Sequence, residues 1–441
     1  MFAQRLVTYI RTLVAREVSS VARYFDVLGQ PHRLPSDNGE LLDLIDCGEK
    51  RVLSDEDDLA ALRDTDVKYV ALLLNGTLNH ELDIAQLLTD LRAYLTRTSR
   101  VIIVAYNPYL RPIYRLAGWL GVRSGEVPST FVTQTNLRSI LRVAEYDIVR
   151  IRPVGYFPLR LFGLGTVVNR LLSGVPWVRW FGLTSVITLR PIIPEREKPS
   201  LSVIIPARNE MGNIEDALKR LDCLEGVDTE IVFVEGHSTD ETWKEILRVR
   251  EAYKDRYDIQ ARQQTGRGKN DAVRLGFSIA RRDLLTILDA DLTMPPELLR
   301  TYYNVYCRGL GDFINGNRLV YPMEGEAMRF LNRLGNIFFA KALSSVLDTR
   351  LGDSLCGTKL LSRADYERVM RWRGDFGDFD PFGDFELLFA ASILGLGIVD
   401  VPIHYRARTY GDTNISRFRH GLMLFKMVII GTVKVRCGIG R

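Results

Sequence analysis

The stretch "LLTILDADLTMPPELL", residues 284–299, decides how the C-terminal half of this chain is read. Leu284, Leu285, Ile287 and Leu288 form an apolar run broken only by Thr286, the pattern of a strand buried on both faces of a parallel sheet. The run carries straight into Asp289 and Asp291. Asp-x-Asp occurs four times in the chain, at Asp55/Asp57, Asp64/Asp66, Asp289/Asp291 and Asp378/Asp380, so the spacing alone carries little. Position separates the third copy, because open α/β sheets bind ligands at the carboxyl ends of their strands. Side chains two apart on an extended segment point the same way. Two carboxylates so placed repel unless a cation lies between or beyond them. Hard oxygen ligands suit Mg²⁺ or Mn²⁺, ions that also take substrate phosphates. Pro295 and Pro296 then suit the first turn of a helix.

Upstream, the same strand-loop-helix pattern recurs. "LSVIIPARNEMGNIEDALKRL" predicts a strand ending at Pro206, a polar turn, and a helix with Ile214, Leu218 and Leu221 on one face. "TEIVFVEGHSTDETWKEILRV" predicts a strand over 230–234, a polar loop over 235–240 and a helix from about 241, which Asp240 could cap. "GRGKNDAVRLGFSIARRD" reads as a basic, glycine-rich loop and a helix. Three alternations of strand and helix predict a Rossmann-like α/β domain with a parallel or mixed sheet. Upstream again, "RPIIPEREKPSLSVIIP" holds four prolines and a charge cluster between apolar strands, a linker over 193–199.

Composition bounds the rest. With 441 residues, 46% hydrophobic and 26% charged, the chain is globular and long enough for two or three domains. A net charge of +5 allows anionic substrates or an anionic membrane and gives no argument for nucleic acid. Five scattered cysteines without a paired motif predict a reduced, cytoplasmic setting. The arginines at 5, 11 and 16 interrupt the first apolar stretch, so it does not read as a signal peptide. No charge-free stretch is long enough for a transmembrane helix.

Taken in order, "SVIIPARNE", "FVEGHSTDET", "GRGKNDAVRLGF" and "ILDADLTMPPELL" resemble the motifs of family 2 glycosyltransferases with the GT-A fold, nearest to their dolichyl-phosphate mannosyltransferase-like branch. The resemblance covers about residues 200–415. It implies an inverting sugar transfer from a nucleotide-diphosphate sugar, with Mg²⁺ or Mn²⁺ held by Asp289 and Asp291. Pro206, Ala207, Arg208, Asn209 and Glu210 match the family's nucleotide-contacting segment. Glu235 matches the first acid of its next loop, where this chain carries Gly236 and His237 in place of the usual Asp-Gly. Lys269 and Asp271 fall in the diphosphate-side loop, and Ala290 lies between the metal acids. "LGDSLCGTK" matches an Asp-x-x-Ser-Gly-Phe-Lys segment, with Asp353 on its acid and Gly357 on its glycine. Glu386 falls where the family carries an acid. "RTYGDTN" matches a phosphate-holding pattern through Arg408 and Thr413, with Asn414 replacing its lysine. A hydroxyl acceptor needs a general base, for which Asp353 comes first and Asp384 or Glu386 next. A lipid phosphate acceptor is already an anion and needs positioning more than deprotonation.

Residues 1–192 predict strands at 69–74 and 101–105, helices after each, and two late strands. They resemble the C-terminal half of a class I S-adenosylmethionine-dependent methyltransferase. Gly48 alone remains of the glycines such a cofactor site needs, so a degenerate domain without S-adenosylmethionine binding is expected, with Asn75 and Asn79 as structural loop residues. Residues 158–186 and the basic segment 416–441 mix arginines with apolar and aromatic residues. They predict peripheral attachment to the anionic inner face of a membrane, where a polyprenyl phosphate would be the acceptor. Two other classes remain open: a nucleotidyltransferase and an inactive membrane scaffold. Oligomeric state is not legible.

Overall fold

The structure is a computed structural model that describes residues 2–32, 40–54, 56–64, 68–121, 128–322, 330–377, 380, 383–407 and 417–436. It contains two α/β sheets. The first has the order β2-β1-β3-β4-β6-β5, built from β1 (Val27–Pro31), β2 (Glu49–Leu53), β3 (Val70–Asn75), β4 (Arg100–Tyr106), β5 (Tyr146–Val154) and β6 (Thr184–Pro191). Strands β2, β1, β3 and β4 run parallel, and β6 pairs antiparallel with both β4 and β5. All six residues of β3 are buried, as expected of a strand covered on both faces. Asn79 is buried and structural: its amide donates to the Thr130 carbonyl at 2.8 Å and its carbonyl accepts from the Tyr106 amide at 2.9 Å.

The second sheet has the order β13-β11-β12-β10-β7-β8-β9, from β7 (Leu201–Ala207), β8 (Thr229–Glu235), β9 (Asp258–Gln263), β10 (Leu284–Ile287), β11 (Phe313–Asn317), β12 (Lys359–Ser362) and β13 (Ile398–Pro402). Strands β10, β7, β8 and β9 are parallel. β12 is antiparallel to β10 and β11 on either side. The sheet is therefore mixed, and this insertion positions the site: β12 starts at the same edge where β10 ends, so Gly357 and Lys359 arrive beside Asp289 from the opposite direction.

The C-terminal helix Arg417–Gly431 is less of a surface element than its sequence suggests. Leu424, Met427 and, just beyond it, Val435 enter the apolar core behind β10 and β12, while Leu422, Phe425 and Ile429 stay exposed. Arg436, expected on a membrane-facing surface, is buried instead. It pairs with Asp348 at 2.6 Å and donates to the Ser345 carbonyl at 2.6 Å. Among the described residues, no helix is long and apolar enough to cross a membrane.

Candidate active site

Three loops leave the carboxyl edge of β7, β8 and β9, where Ala207, Glu235 and Gln263 lie in register. Polar groups stitch them together. Asn209, in the left-handed region at φ 55°, donates its amide to the Ser238 hydroxyl at 3.0 Å and accepts from the Thr239 amide at 2.8 Å. Glu210 is buried; its amide donates to Thr242 Oγ1 at 2.9 Å and its carboxylate accepts from Asn213 at 2.7 Å. Glu235 is buried as well and accepts from the Ser238 amide at 2.5 Å and Gln263 Nε2 at 3.0 Å. Burial pushes its pKa up, but these hydrogen bonds and the nearby His237 outweigh it, so the carboxyl is held below its ordinary range. His237, also left-handed, bridges to the Gly266 carbonyl at 3.0 Å. Within this rigid rim Arg208 and Arg267 are exposed cations, Pro206 is half-buried and Ala207 buried.

The next edge holds the acids. Beyond Ile287 the chain leaves the strand and turns through Ala290 and Asp291, so the parity of an extended segment does not orient the carboxylates. Local bonds do. Asp291 Oδ1 accepts from the Thr293 amide at 3.1 Å and its hydroxyl at 2.8 Å, around Leu292 in the left-handed region. Asp289 Oδ1 meets Lys269 Nζ at 2.5 Å, with both side chains partly open to solvent. Burial lowers the pKa of Lys269, but Asp289 and then Asp384 more than offset it, so the ammonium is retained. Gly357 backs the pair: a Cβ there would strike Lys269 Nζ and the Asp289 carboxylate. Asp271 sits in the first turn of the helix Lys269–Ile279, with its carboxylate folded over Gly266. It shapes the loop and does not face outward. Ala290 is buried.

Among the described residues no group of three or more His, Cys, Asp or Glu side chains converges as a metal cage. Two carboxylates at a solvent-accessible edge beside a retained lysine still fit Mg²⁺ or Mn²⁺, since such ions are commonly held by one or two carboxylates, waters and substrate phosphates.

The three candidate bases differ sharply in placement. Asp353 is fully buried and gripped by Arg318, with Nε–Oδ2 at 2.6 Å and Nη2–Oδ1 at 2.9 Å, and it also accepts from the backbone amides of Leu355 at 2.9 Å and Arg318 at 3.2 Å. Burial alone would raise its pKa; Arg318 and the amides reverse that and hold it low. Both oxygens are engaged by Arg318 and the two amides, so where the resemblance implies a general base the structure shows an internal ion pair. Glu386 is likewise buried, between Arg274 and Arg373. Asp384 lies nearer the edge, at the start of the helix Asp384–Ile393, and accepts from the buried Lys359 at 2.9 Å. Asp353→Asn is expected to cost on the order of 3 kcal/mol in stability by leaving Arg318 buried against a neutral group. Turnover per folded molecule should keep its pH profile; a lost acid limb would restore Asp353 as the base.

The structure thus brings together Glu235 with the 206–210 segment, and Lys269, Asp289 and Asp384 beside Gly357. It places Asp353 and Glu386 behind them. Arg408, Thr413 and Asn414 lie outside the described residues. Three participants were not anticipated. Lys359 is the last residue of the "LGDSLCGTK" match, so its signal was present. Gln263 and Arg318 carried none, because only the fold reveals their partners.

The matching family model, Glycosyl transferase family 2, covers residues 202–370. The chain is 30% identical over 224 residues to the dolichol-phosphate mannosyltransferase of Pyrococcus furiosus, a match covering 49% of this chain and 59% of that protein. It is 28% identical to the dolichyl-phosphate hexose transferase of Haloferax volcanii, over 52% of this chain and 92% of that one. It is 24% identical to the undecaprenyl-phosphate 4-deoxy-4-formamido-L-arabinose transferase of an Enterobacter species, over 52% and 66%. The chain therefore spans 59–66% of the length of two of these relatives. Among solved structures, glucosyl-3-phosphoglycerate synthase of Mycobacterium tuberculosis aligns at 19% identity over 55% of this chain and 81% of that one, with a TM-score of 0.40. Residues 202–370, which hold β8 to β12 and nearly all of β7, match the family 2 glycosyl transferases.

Proposed function

We propose that the chain is an inverting, metal-dependent glycosyltransferase that moves a sugar from a nucleotide-diphosphate sugar to a polyprenyl phosphate at a membrane surface. The observation that carries the acceptor class is the state of the carboxylates. Asp353, Glu386 and Asp384 each face a cation at ion-pair distance, which leaves none of them an unengaged base for a hydroxyl. A phosphate monoester, with a second pKa of about 6, is already nucleophilic and asks only to be aimed. Three relatives, two dolichyl-type and one undecaprenyl-phosphate transferase, support the same class.

In this reading the 206–210 segment and Glu235 hold the nucleoside, and the exposed Arg208 and Arg267 draw in its phosphates. Lys269 stabilises charge that develops on the leaving diphosphate. Asp289 and Asp291 would hold Mg²⁺ or Mn²⁺, which supplies Lewis-acid neutralisation of that diphosphate. Gly357 lets Lys269 and Asp289 close against the backbone, since a Cβ there would strike both. Arg408 and Thr413, by resemblance, hold acceptor or donor phosphate oxygens. The N-terminal sheet we read as a degenerate methyltransferase-like domain without S-adenosylmethionine, and the setting as the cytoplasmic face of a membrane.

A panel of nucleotide sugars offered with a short-chain polyprenyl phosphate, or with the matching alcohol, tests the reading. The phosphate should be the better acceptor by at least about tenfold, the scale of a single charge-assisted contact. An alcohol that serves equally well overturns the acceptor class.

A further inference from the structure

The helix Leu164–Ser173 is inside-out. Its apolar side chains Leu164, Val167 and Leu171, spaced i, i+3, i+7, are 60%, 50% and 61% exposed. Its polar side chains Thr166, Asn169, Arg170 and Ser173 face inward instead, onto a cavity of about 1670 Å³. The opposite wall is the helix Phe2–Ala22, which presents Arg5, Tyr9, Thr12, Arg16 and Ser20 to the same cavity along one face. Helices that face each other in a soluble protein ordinarily do so through apolar stripes; here two polar, arginine-bearing stripes meet across open space. Tyr9 joins them, to Thr166 and to Asn169 Nδ2, each at 3.3 Å.

Charge in the cavity is lopsided. Arg5, Arg16, Arg23, Arg160 and Arg170 line it, while Glu17 and Asp46 are its acids. Glu17 is already engaged by Arg150 and Arg152 at 3.1 Å. Arg152, also lining the cavity, is 3% exposed and its Nη2 has no hydrogen-bond partner, a buried donor that an anion would satisfy. Arg16 is held below its ordinary pKa, first by partial burial and then by the charge of Arg170, against which Glu17 acts in part. At the rim, Leu161, Phe162 and Gly163 are all left-handed, at φ 38°, 55° and 103°. That turn leaves Phe162 fully exposed, and Trp177, Trp180 and Phe181 are exposed farther along the same segment. Strained backbone that displays an aromatic ring to solvent calls for an apolar environment.

We propose that the Leu164–Ser173 helix lies in the interfacial layer of a leaflet, and that the arginine-lined cavity behind it receives the phosphate head group of an anionic lipid. The apolar face and Phe162 enter the acyl boundary while the arginines take the head group, as in interfacial amphipathic helices. The cavity is lined by residues within 4–173 together with Val435 and Arg436 and by none of the Asp289 edge, so it shares with the proposed function only the membrane surface.

The test uses the full chain, without nucleotide sugar, on vesicles of phosphatidylcholine alone and of phosphatidylcholine with phosphatidic acid. Binding should require phosphatidic acid. Arg16→Gln with Arg170→Gln should weaken it on the order of thirtyfold, about fivefold for each positive charge lost. Arg16→Lys with Arg170→Lys should restore most of it, and Phe162→Asp, at a fully exposed position, should abolish insertion without unfolding the chain. Unchanged binding by the glutamine pair overturns the proposal, as does failure of the lysine pair to rescue. Thermal stabilisation by inorganic phosphate without any vesicle binding assigns the cavity to free phosphate and overturns the lipid. Because no donor is present, the result stands apart from whether sugar transfer is found.

Discussion

Asp291→Asn is expected to lower sugar transfer at least 10²-fold while leaving the fold intact. The substitution is nearly silent structurally. Asp291 Oδ1 accepts from the Thr293 amide and hydroxyl, and an asparagine carbonyl keeps that acceptor, so the turn that carries the residue survives. What is lost is one negative charge at an edge where Asp289 is shared with Lys269 at 2.5 Å and Asp384 with Lys359 at 2.9 Å. Removing one preorganised group that stabilises a leaving oxyanion costs about 10²–10³ in rate, and a first-sphere carboxylate of a divalent ion belongs at the upper end. The loss should fall mainly on kcat, since the nucleoside contacts proposed at 206–210 and Glu235 are untouched, and excess Mn²⁺ should recover part of it. Chelation of divalent ions should reduce the unsubstituted chain to a similar rate. Near-normal turnover by the variant at the same metal concentration would sink the metal role of this edge.

How much of this was legible beforehand divides along a physical line. Leu284–Ile287 read correctly as a buried strand because burial on both faces leaves a compositional trace. The same holds for Leu201–Ala207 and Thr229–Glu235; Asp240 accepts from the Thr242 amide at 3.0 Å, but the helix starts at Thr242 and Glu241 holds the cap position. Illegible features depend on partners distant in sequence. β9 is mostly polar, DIQARQ, so periodicity does not announce it. The antiparallel β12 that delivers Gly357 and Lys359 is four residues long. Asp353 matched a motif acid and looked catalytic; only Arg318, across a strand end, reveals that its charge is spent internally. Arg100 and Arg190 sit in strands whose other residues spell burial, and nothing local says where their guanidinium groups find a counter-charge.

That counter-charge is Asp312, and Asp312→Ala is expected to destabilise the chain by about 3–5 kcal/mol, the cost of stranding buried charges. Three arginines of the first sheet's unit converge on this one carboxylate at the start of β11. Arg100 Nη2 lies at 2.7 Å, Arg190 Nε at 3.2 Å and Arg97 Nε at 3.6 Å, and the Gly397 amide adds a hydrogen bond at 2.9 Å. Arg100 and Arg190 are essentially inaccessible to solvent. Burial, only partly countered by Asp312, already brings Arg100 down to about 10; without Asp312 it loses its principal partner. For Asp312, burial pushes the pKa up, but Arg190, Arg100 and Arg97 together hold it at about 2. Its folded pKa lies below the unfolded value of about 3.9, so the stabilisation is complete above pH ~4 and disappears as pH falls toward 2, a contribution of about 2–3 kcal/mol. Urea unfolding across that range should show a steep acid limb in the unsubstituted chain, and a lower, flatter one in Asp312→Ala. By contrast Arg11→Ala, which breaks the solvent-facing pair with Glu40, should shift the midpoint little. Equal stability and an unchanged acid limb for Asp312→Ala would mean that the arginines are solvated between the two sheets, and that apolar packing rather than this carboxylate joins them.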